Sequence, residues 1–78
     1  MTARPVKHSL TLQGHRTSVS LEDAFWRAFR RIAAEDGKPL NALAAEIDAG
    51  RDPGVGLASA IRVFVLERAL SDRVKNAP

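Results

Sequence analysis

Apolar and polar residues alternate from His8 to Leu21, with one interruption in the middle. The apolar or β-branched positions on the two sides of the interruption are Leu10, Leu12, Thr17, Val19 and Leu21. A period of two is typical of a half-buried strand. Gly14 lies within the interruption and is compatible with a bulge, a hairpin turn or a bend between two strand segments.

A helix follows the strand region. Residues 20–23 (SLED) have the form of a capping box, which predicts that Ser20 caps the start of this helix. Gly37 is typical of a helix end, and Pro39 prevents continuation. The apolar stripe of the helix is formed by Leu21, Phe25, Ala28, Phe29 and Ile32.

Two further helices are predicted, from about Leu40 to Ala49 and from about Leu57 to Arg73, with a loop at residues 50–56 between them. The apolar residues of the third helix occupy more than one stripe. We therefore expect this helix to be covered on more than one side.

The chain has 78 residues and no cysteine, so neither disulfides nor thiolate metal sites can stabilise it. His8 and His15 lie in a stretch without acidic residues, which argues against a metal site. A lone strand cannot be stable, and an internal hairpin would be marginal. We therefore expect the strand to pair with the same strand of a second copy, so that the chain folds only as a homodimer.

The dimer core is predicted from the apolar positions of the strand and the first two helices. Trp26 lies off the main stripe and is assigned to the core or to a dimer contact. The predicted core residues are Val19, Leu21, Phe25, Trp26, Phe29, Ile32, Leu43 and Ile47.

Charge is unevenly distributed, although the net charge is only +3. Residues 1–20 contain Arg4, Lys7 and Arg16 and no acid, whereas residues 21–50 contain four basic and six acidic residues. The sequence divides into a flexible basic arm (1–7), the folded domain (8–73) and a frayed tail (74–78). A cationic amino-terminal segment suits a polyanion such as nucleic acid.

No apolar run approaches the roughly 20 residues that span a bilayer, and the first residues lack the apolar core of a signal peptide. We expect a cytoplasmic protein without membrane contact. No nucleophile lies at a recognisable spacing from a histidine and an orienting carboxylate, so we expect neither an enzyme nor a cofactor.

The order of strand, capped helix, glycine turn and second helix resembles the ribbon-helix-helix family, which includes the Arc and Met repressors. Residues 17–25 (TSVSLEDAF) resemble the family's passage from strand to helix, and residues 33–43 (AAEDGKPLNAL) resemble its inter-helix turn. The segments GHRTSVSLEDAFW, LNALAAEID and SAIRVFVLE are similar to a subgroup of short bacterial members. The likeness covers residues 8–70.

This resemblance implies a mostly α fold with a short amino-terminal β segment, arranged as a ribbon-helix-helix homodimer with an additional carboxy-terminal helix. Two departures from the simplest members are the third helix and the second alternating segment, residues 8–13. Either departure could modify the surface that contacts DNA.

Two paired strands form a ribbon that fits the major groove of DNA. The resemblance implies that the outward residues Arg16, Ser18 and Ser20 read bases. A rival or additional surface is formed by Lys7, Ser9, Thr11 and Gln13. Phosphate contacts are expected from Arg4 on the arm and, at the start of the second helix, from Lys38 and Asn41.

These observations predict a homodimeric, sequence-specific DNA-binding protein that acts as a transcriptional regulator. The alternative is a protein-interaction module, an antitoxin or adaptor that binds a partner through the third helix or the loop at 51–56. A polar outer face on the ribbon favours DNA, whereas a large exposed apolar face on the third helix favours a protein.

Overall fold

The computed structural model describes residues 4–75, which form a two-stranded antiparallel hairpin followed by three helices. In chain order the elements are β1 (Val6–Leu12), β2 (His15–Leu21), α1 (Asp23–Glu35), α2 (Leu40–Gly50) and α3 (Leu57–Lys75). This architecture confirms the predicted mostly α fold with an amino-terminal β segment and an additional third helix. The strand β1 begins inside the segment assigned to the arm, and α3 extends into the segment assigned to the tail. Residues 1–3 of the arm and 76–78 of the tail lie outside the described range.

The interruption in the alternating pattern is a hairpin turn, which resolves the three alternatives at Gly14. Gln13 and Gly14 both have positive φ, at 50° and 84°. Two consecutive residues of this kind form the two-residue turn whose twist matches that of the flanking strands. The strand that was expected to pair with a second copy therefore has a partner in its own chain, because this turn folds β1 back onto β2.

The helices cover one face of the hairpin and enclose a single core. Its buried hydrophobic residues are Leu10, Val19, Leu21, Phe29, Ile32, Ala33, Leu43, Ala44, Ile61 and Val65. Five of the predicted core residues belong to this set, and Phe25, Trp26 and Ile47 are partly buried against it. Within residues 4–75, no helix is long and apolar enough to cross a membrane.

The end of α1 confirms the prediction, but its start does not. Gly37 has φ 65°, its N–H donates to Ala34, and the N–H of Lys38 donates to Ala33 (2.9 Å). These are the paired bonds of a helix end with a left-handed glycine. At the other end the cap residue is Glu22, without a side-chain cap bond. Ser20 belongs to β2, so the predicted capping box is wrong.

Two ion pairs attach α3 to the two ends of α1. Arg62 bonds to Glu22 (Nε to Oε1, 2.9 Å), and Arg68 donates to both carboxylate oxygens of Asp36 (3.1 Å for Nη1 to Oδ2). The hydrogen bond from Arg68 lowers the pKa of Asp36 below its ordinary value. The helix α3 is therefore held by charged contacts at both ends of α1 as well as by its apolar face.

The stripe of α1 can be tested by comparing buried and exposed positions. We expect Phe29→Ala and Ile32→Ala each to lower the free energy of unfolding by about 2–5 kcal/mol, because each empties a fully packed site. Arg30→Ala, at an exposed position on the same helix, should change it by less than about 0.5 kcal/mol. Chemical denaturation measures all three. Equal losses would contradict the assignment of the stripe.

Candidate nucleic-acid interface

The hairpin places the two predicted DNA-contacting surfaces on one face. Its register sets Lys7 opposite Ser20, Ser9 opposite Ser18, and Thr11 opposite Arg16. Directly opposite residues of an antiparallel pair lie on the same side of the sheet. All six side chains are exposed, whereas Leu10, Val19 and Leu21 of the other face are buried. The rival surfaces are thus a single surface, which we call the outer hairpin face.

The outer hairpin face contains two cations, four hydroxyl side chains and no carboxylate. Lys7 and Arg16 lie at diagonally opposite ends of it, with the serines and the threonine between them. Among the described residues, no ion pair joins either cation to an acid. Gln13 lies outside this face, in the turn. The face therefore has the charge and the hydrogen-bonding groups that suit a nucleic acid.

One edge of the hairpin is covered by α2. The backbone N–H of Thr11 donates to the side-chain oxygen of Asn41 (3.1 Å). The backbone N–H of Thr11 therefore points away from β2. The direction of the backbone N–H and C=O groups alternates from one residue to the next along a strand, so those of Lys7 and Ser9 also point away from β2. The backbone groups of the residues opposite them on β2 point away from β1.

The other edge of the hairpin belongs to β2 and is largely free. The backbone groups of Arg16, Ser18 and Ser20 point toward it, by the alternation just described. The carbonyl of Ser20 accepts a hydrogen bond from Arg62 (Nη2, 3.1 Å). In the described part of the chain, the edge groups of Arg16 and Ser18 have no backbone partner outside the hairpin. A second strand could add here.

The expected phosphate ligands have other contacts in this structure. Lys38 bonds to Glu46 (2.9 Å), and the oxygen of Asn41 accepts from Thr11. Arg4 is exposed and precedes β1. The bond to Glu46 uses one of the three N–H donors of the Lys38 ammonium group. The three residues are therefore not gathered into one clamp.

Trp26 is partly buried against the core, which agrees with its assignment to the core or to a dimer contact. Its ring stacks on His8, with centroids 3.8 Å apart and planes 4° from parallel, and it contacts Phe29 at 6.2 Å. The Nε2 atom of His8 is buried and has no hydrogen-bond partner within residues 4–75. No group of three or more metal-ligating side chains occurs within the described range.

Arg62 is a site residue that the sequence analysis missed. Besides its bonds to Glu22 and the Ser20 carbonyl, its guanidinium carbon lies 6.0 Å from the ring centroid of Phe25. The hydrogen bond from Arg62 lowers the pKa of Glu22 below its ordinary value. Arg62 thereby fixes the point at which β2 passes into α1. Its position on α3, forty residues from Glu22, gave no local signal of this role.

A comparison with protein-family models matched residues 5–69 to the ribbon-helix-helix domain. The chain belongs to the ribbon-helix-helix family. The match includes β1 and most of α3, the two elements that depart from the simplest members. Ribbon-helix-helix proteins generally form dimers that bind DNA and are typically not enzymes. Searches of curated proteins and of solved structures found no match.

The contact between Arg62 and Glu22 predicts an acid dependence of stability. A carboxyl whose pKa is lowered by folding stabilises the protein above its unfolded pKa, and this stabilisation is lost as the pH falls through the folded value. Glu22→Gln should therefore show a shallower fall in Tm below about pH 4 than the unchanged chain.

The matched control is Glu67→Gln, at an exposed position on α3 that takes part in no ion pair with residues 4–75. Its profile of Tm against pH should follow that of the unchanged chain. Coincident profiles for the two variants would show that the Arg62 contact does not form in solution.

Proposed function

We propose that this chain is a homodimeric, sequence-specific DNA-binding protein that regulates transcription in the bacterial cytoplasm. The observation that carries the proposal is the outer hairpin face, an exposed polar surface with two cations and no carboxylate. It lies on the strands of a ribbon-helix-helix domain, a family whose members generally bind DNA as dimers.

The free edge of β2 supplies the dimer contact. Arg16, Ser18 and Ser20 all direct backbone groups toward this edge, and Ser18 is the middle one. Antiparallel pairing of Ser18 with Ser18 of a second copy uses all three residues, and it sets Arg16 opposite Ser20 of that copy. The resulting sheet has four strands, with the two copies of β2 at its centre.

The width of the major groove assigns different roles to the two strands. The groove is about 12 Å wide and admits two strands, whereas the outer strands of a four-stranded sheet lie about 14 Å apart. The two copies of β2 therefore enter the groove, and the copies of β1 lie over its rims. Arg16, Ser18 and Ser20 contact bases, with Arg16 suited to guanine. Lys7, Ser9 and Thr11 face the phosphates.

A second candidate function is a protein-interaction module. It is favoured by exposed apolar side chains on α3, at Val63, Leu66, Leu70 and Val74. An antitoxin or adaptor would use such a face to bind a protein partner. The two candidate functions use different surfaces. The interaction module binds its partner through α3 and needs no contact from the outer hairpin face.

Dimerisation through β2 predicts a melting temperature that rises with protein concentration, because association binds only the folded chain and stabilises it by mass action. Ser18→Pro removes an N–H that points toward the free edge and not toward β1, so it should dissociate the dimer and leave the hairpin bonds intact. Ser9→Pro is less suitable as a control, because Ser9 lies on β1 and α2 packs against the edge of that strand. Ser18→Ala keeps the N–H and should remain dimeric.

Sedimentation measures the mass, and melting curves at several concentrations measure the coupling. A monomeric mass together with a concentration-independent melt of the unchanged chain would overturn the dimer.

The roles of the two strands predict different losses of DNA binding. Arg16→Ala should weaken binding to a preferred site by about 1–3 kcal/mol and relax base preference there. Lys7→Ala should weaken binding to all sequences alike and flatten the slope of log affinity against log salt by about 0.9 for each copy. The contrast is informative because both changes remove one positive charge.

Genomic DNA fragments that the unchanged protein binds are selected first. Each variant is then titrated onto these fragments, and its affinity is measured by gel shift at several salt concentrations. Arg73→Ala removes the same charge near the far end of α3 and should have little effect on either quantity. If Arg16→Ala and Lys7→Ala behave alike, β2 is not the reading strand. If the unchanged protein binds no DNA at low salt, the interaction module replaces this proposal.

A further inference from the structure

The helix α3 has two apolar faces. One contains Ile61 and Val65, which are buried in the core. The other contains four large aliphatic side chains that are between 53% and 75% exposed: Val63, Leu66, Leu70 and Val74. We call these four residues the outer α3 stripe. Along the helix they follow one another at steps of three, four and four residues.

The geometry of a helix places this stripe opposite the core. Successive residues are turned by about 100°, so Val63, Leu66, Leu70 and Val74 fall within one sector, on the far side of the axis from Ile61 and Val65. They cover about 16 Å of helix length. Steps of three and four residues are those of the seam between two packed helices. Val63, at the margin of this sector, also lines the groove between α3 and the end of α2, together with Ile47 and Val55.

Exposed aliphatic residues at these spacings are neighbours on the helix surface, so the stripe is one continuous patch. Contiguous apolar patches on a protein surface mark sites of interaction with another macromolecule. The core of this chain does not need the stripe, because Ile61 and Val65 already complete the inner face. The stripe therefore serves a contact outside the single copy.

The position of the stripe indicates which partner covers it. Arg62 of α3 reaches the Ser20 carbonyl on the free edge of β2. Leu66 lies one turn after Arg62 on the neighbouring side of the helix, and Leu70 follows it by another turn. A continuous surface thus runs from the free β2 edge, across Arg62, to the stripe. A second copy that adds a strand to β2 is placed beside the stripe.

We propose that the outer α3 stripe is a dimer contact, in which α3 of one copy packs antiparallel to α3 of a second copy. The same two-fold axis that relates the paired β2 strands relates these helices. The inference rests on the strand pairing proposed above. A two-fold contact needs a surface that is complementary to itself, and an uncharged aliphatic stripe meets this requirement. The contact gives this small chain a second apolar layer that a single copy lacks.

The first experiment changes the charge on α3 and measures the dimer dissociation constant by sedimentation equilibrium. Leu66→Glu and Leu70→Glu each place a carboxylate in the stripe, and both positions are more than half exposed in the single copy, so the fold of that copy is preserved. We expect each change to weaken the dimer roughly tenfold or more. Ser71→Glu adds the same charge at an exposed position off the stripe and should change the constant by less than about threefold.

The second experiment tests the geometry independently of the energy. The chain contains no cysteine, so a single introduced cysteine gives one thiol per copy and one possible pair between two copies. A Leu66→Cys or a Leu70→Cys variant should form a covalent dimer with a short bismaleimide at concentrations where the protein is dimeric. A single Ser71→Cys variant should not.

The outcomes separate this contact from the strand pairing. Dissociation by both Leu66→Glu and Ser18→Pro, together with specific cross-linking, supports the contact. If Ser18→Pro leaves the dimer intact, the strand pairing and the shared two-fold axis are wrong, and with them this arrangement of the helices. If Ser18→Pro dissociates the dimer while Leu66→Glu has no effect and no cross-link forms, the strand pairing stands and the α3 contact is wrong. If the unchanged chain is a monomer, both are wrong, and the stripe is left to a different protein, as in the interaction module.

Discussion

The register between β1 and β2 is the constraint on which the rest of the molecule depends. Side chains alternate between the two faces of a sheet, so a slip of one residue would turn Leu10 outward and a polar neighbour into the core. The burial of Leu10, Val19 and Leu21 under the helices prevents this slip. The turn at Gln13 and Gly14 sets the same register from the other end. Two independent requirements therefore agree on one pairing.

The same register creates the outer hairpin face. Lys7, Ser9 and Thr11 would form a separate surface if β1 were an independent strand or a disordered arm. Paired with β2, they double the width of the polar surface and add the charge of Lys7 to that of Arg16. The alternation of backbone direction then leaves β2 with a usable edge. Surface chemistry and the capacity to associate thus both follow from how one turn aligns two strands.

The helix α3 holds α1 and the end of β2 in their relative positions. Through Glu22 and Asp36 it is tied to the first and last turns of α1, and through Arg62 it reaches the carbonyl of Ser20. Arg62 therefore fixes the passage from β2 into α1, and Arg68 fixes the far end of α1. A family member with a single longer second helix would have to hold this junction in another way. The extra helix replaces a local cap with a long-range ion pair.

Much of the fold could be predicted from the sequence because its signals are local and periodic. The three helices, the end of α1 at Gly37 and most of the core follow from patterns within one or two turns of chain. Ser20 was misassigned as a cap because the capping pattern is equally local, whereas its carbonyl is bound by a residue on α3. Lys38 and Asn41 are engaged by Glu46 and Thr11, and neither contact can be read from composition.

The union of the two predicted DNA-contacting surfaces could not be predicted for a similar reason. Sequence alternation shows which residues share a face of one strand, but not whether two strands pair or in which register. The turn residues Gln13 and Gly14 are compatible with a hairpin without requiring one. Only the observed pairing shows that Lys7 and Ser20 are neighbours. The residues of the candidate site could thus be predicted one by one, but the surface that they form together could not.

The two edges of the hairpin are covered to different degrees, and this difference affects aggregation. Sheets with two open edges can grow without limit, and natural proteins protect such edges with short strands, covering elements or lysine side chains. Here the N–H of Thr11 is occupied by Asn41, and Lys7 places a charge along the same strand. Among the described residues, no comparable side-chain bond covers the β2 edge at Arg16 and Ser18, and the proposed two-fold pairing would use this edge in both copies. A sheet that ended at four strands in this way would offer fibre growth no uncovered central edge on which to begin.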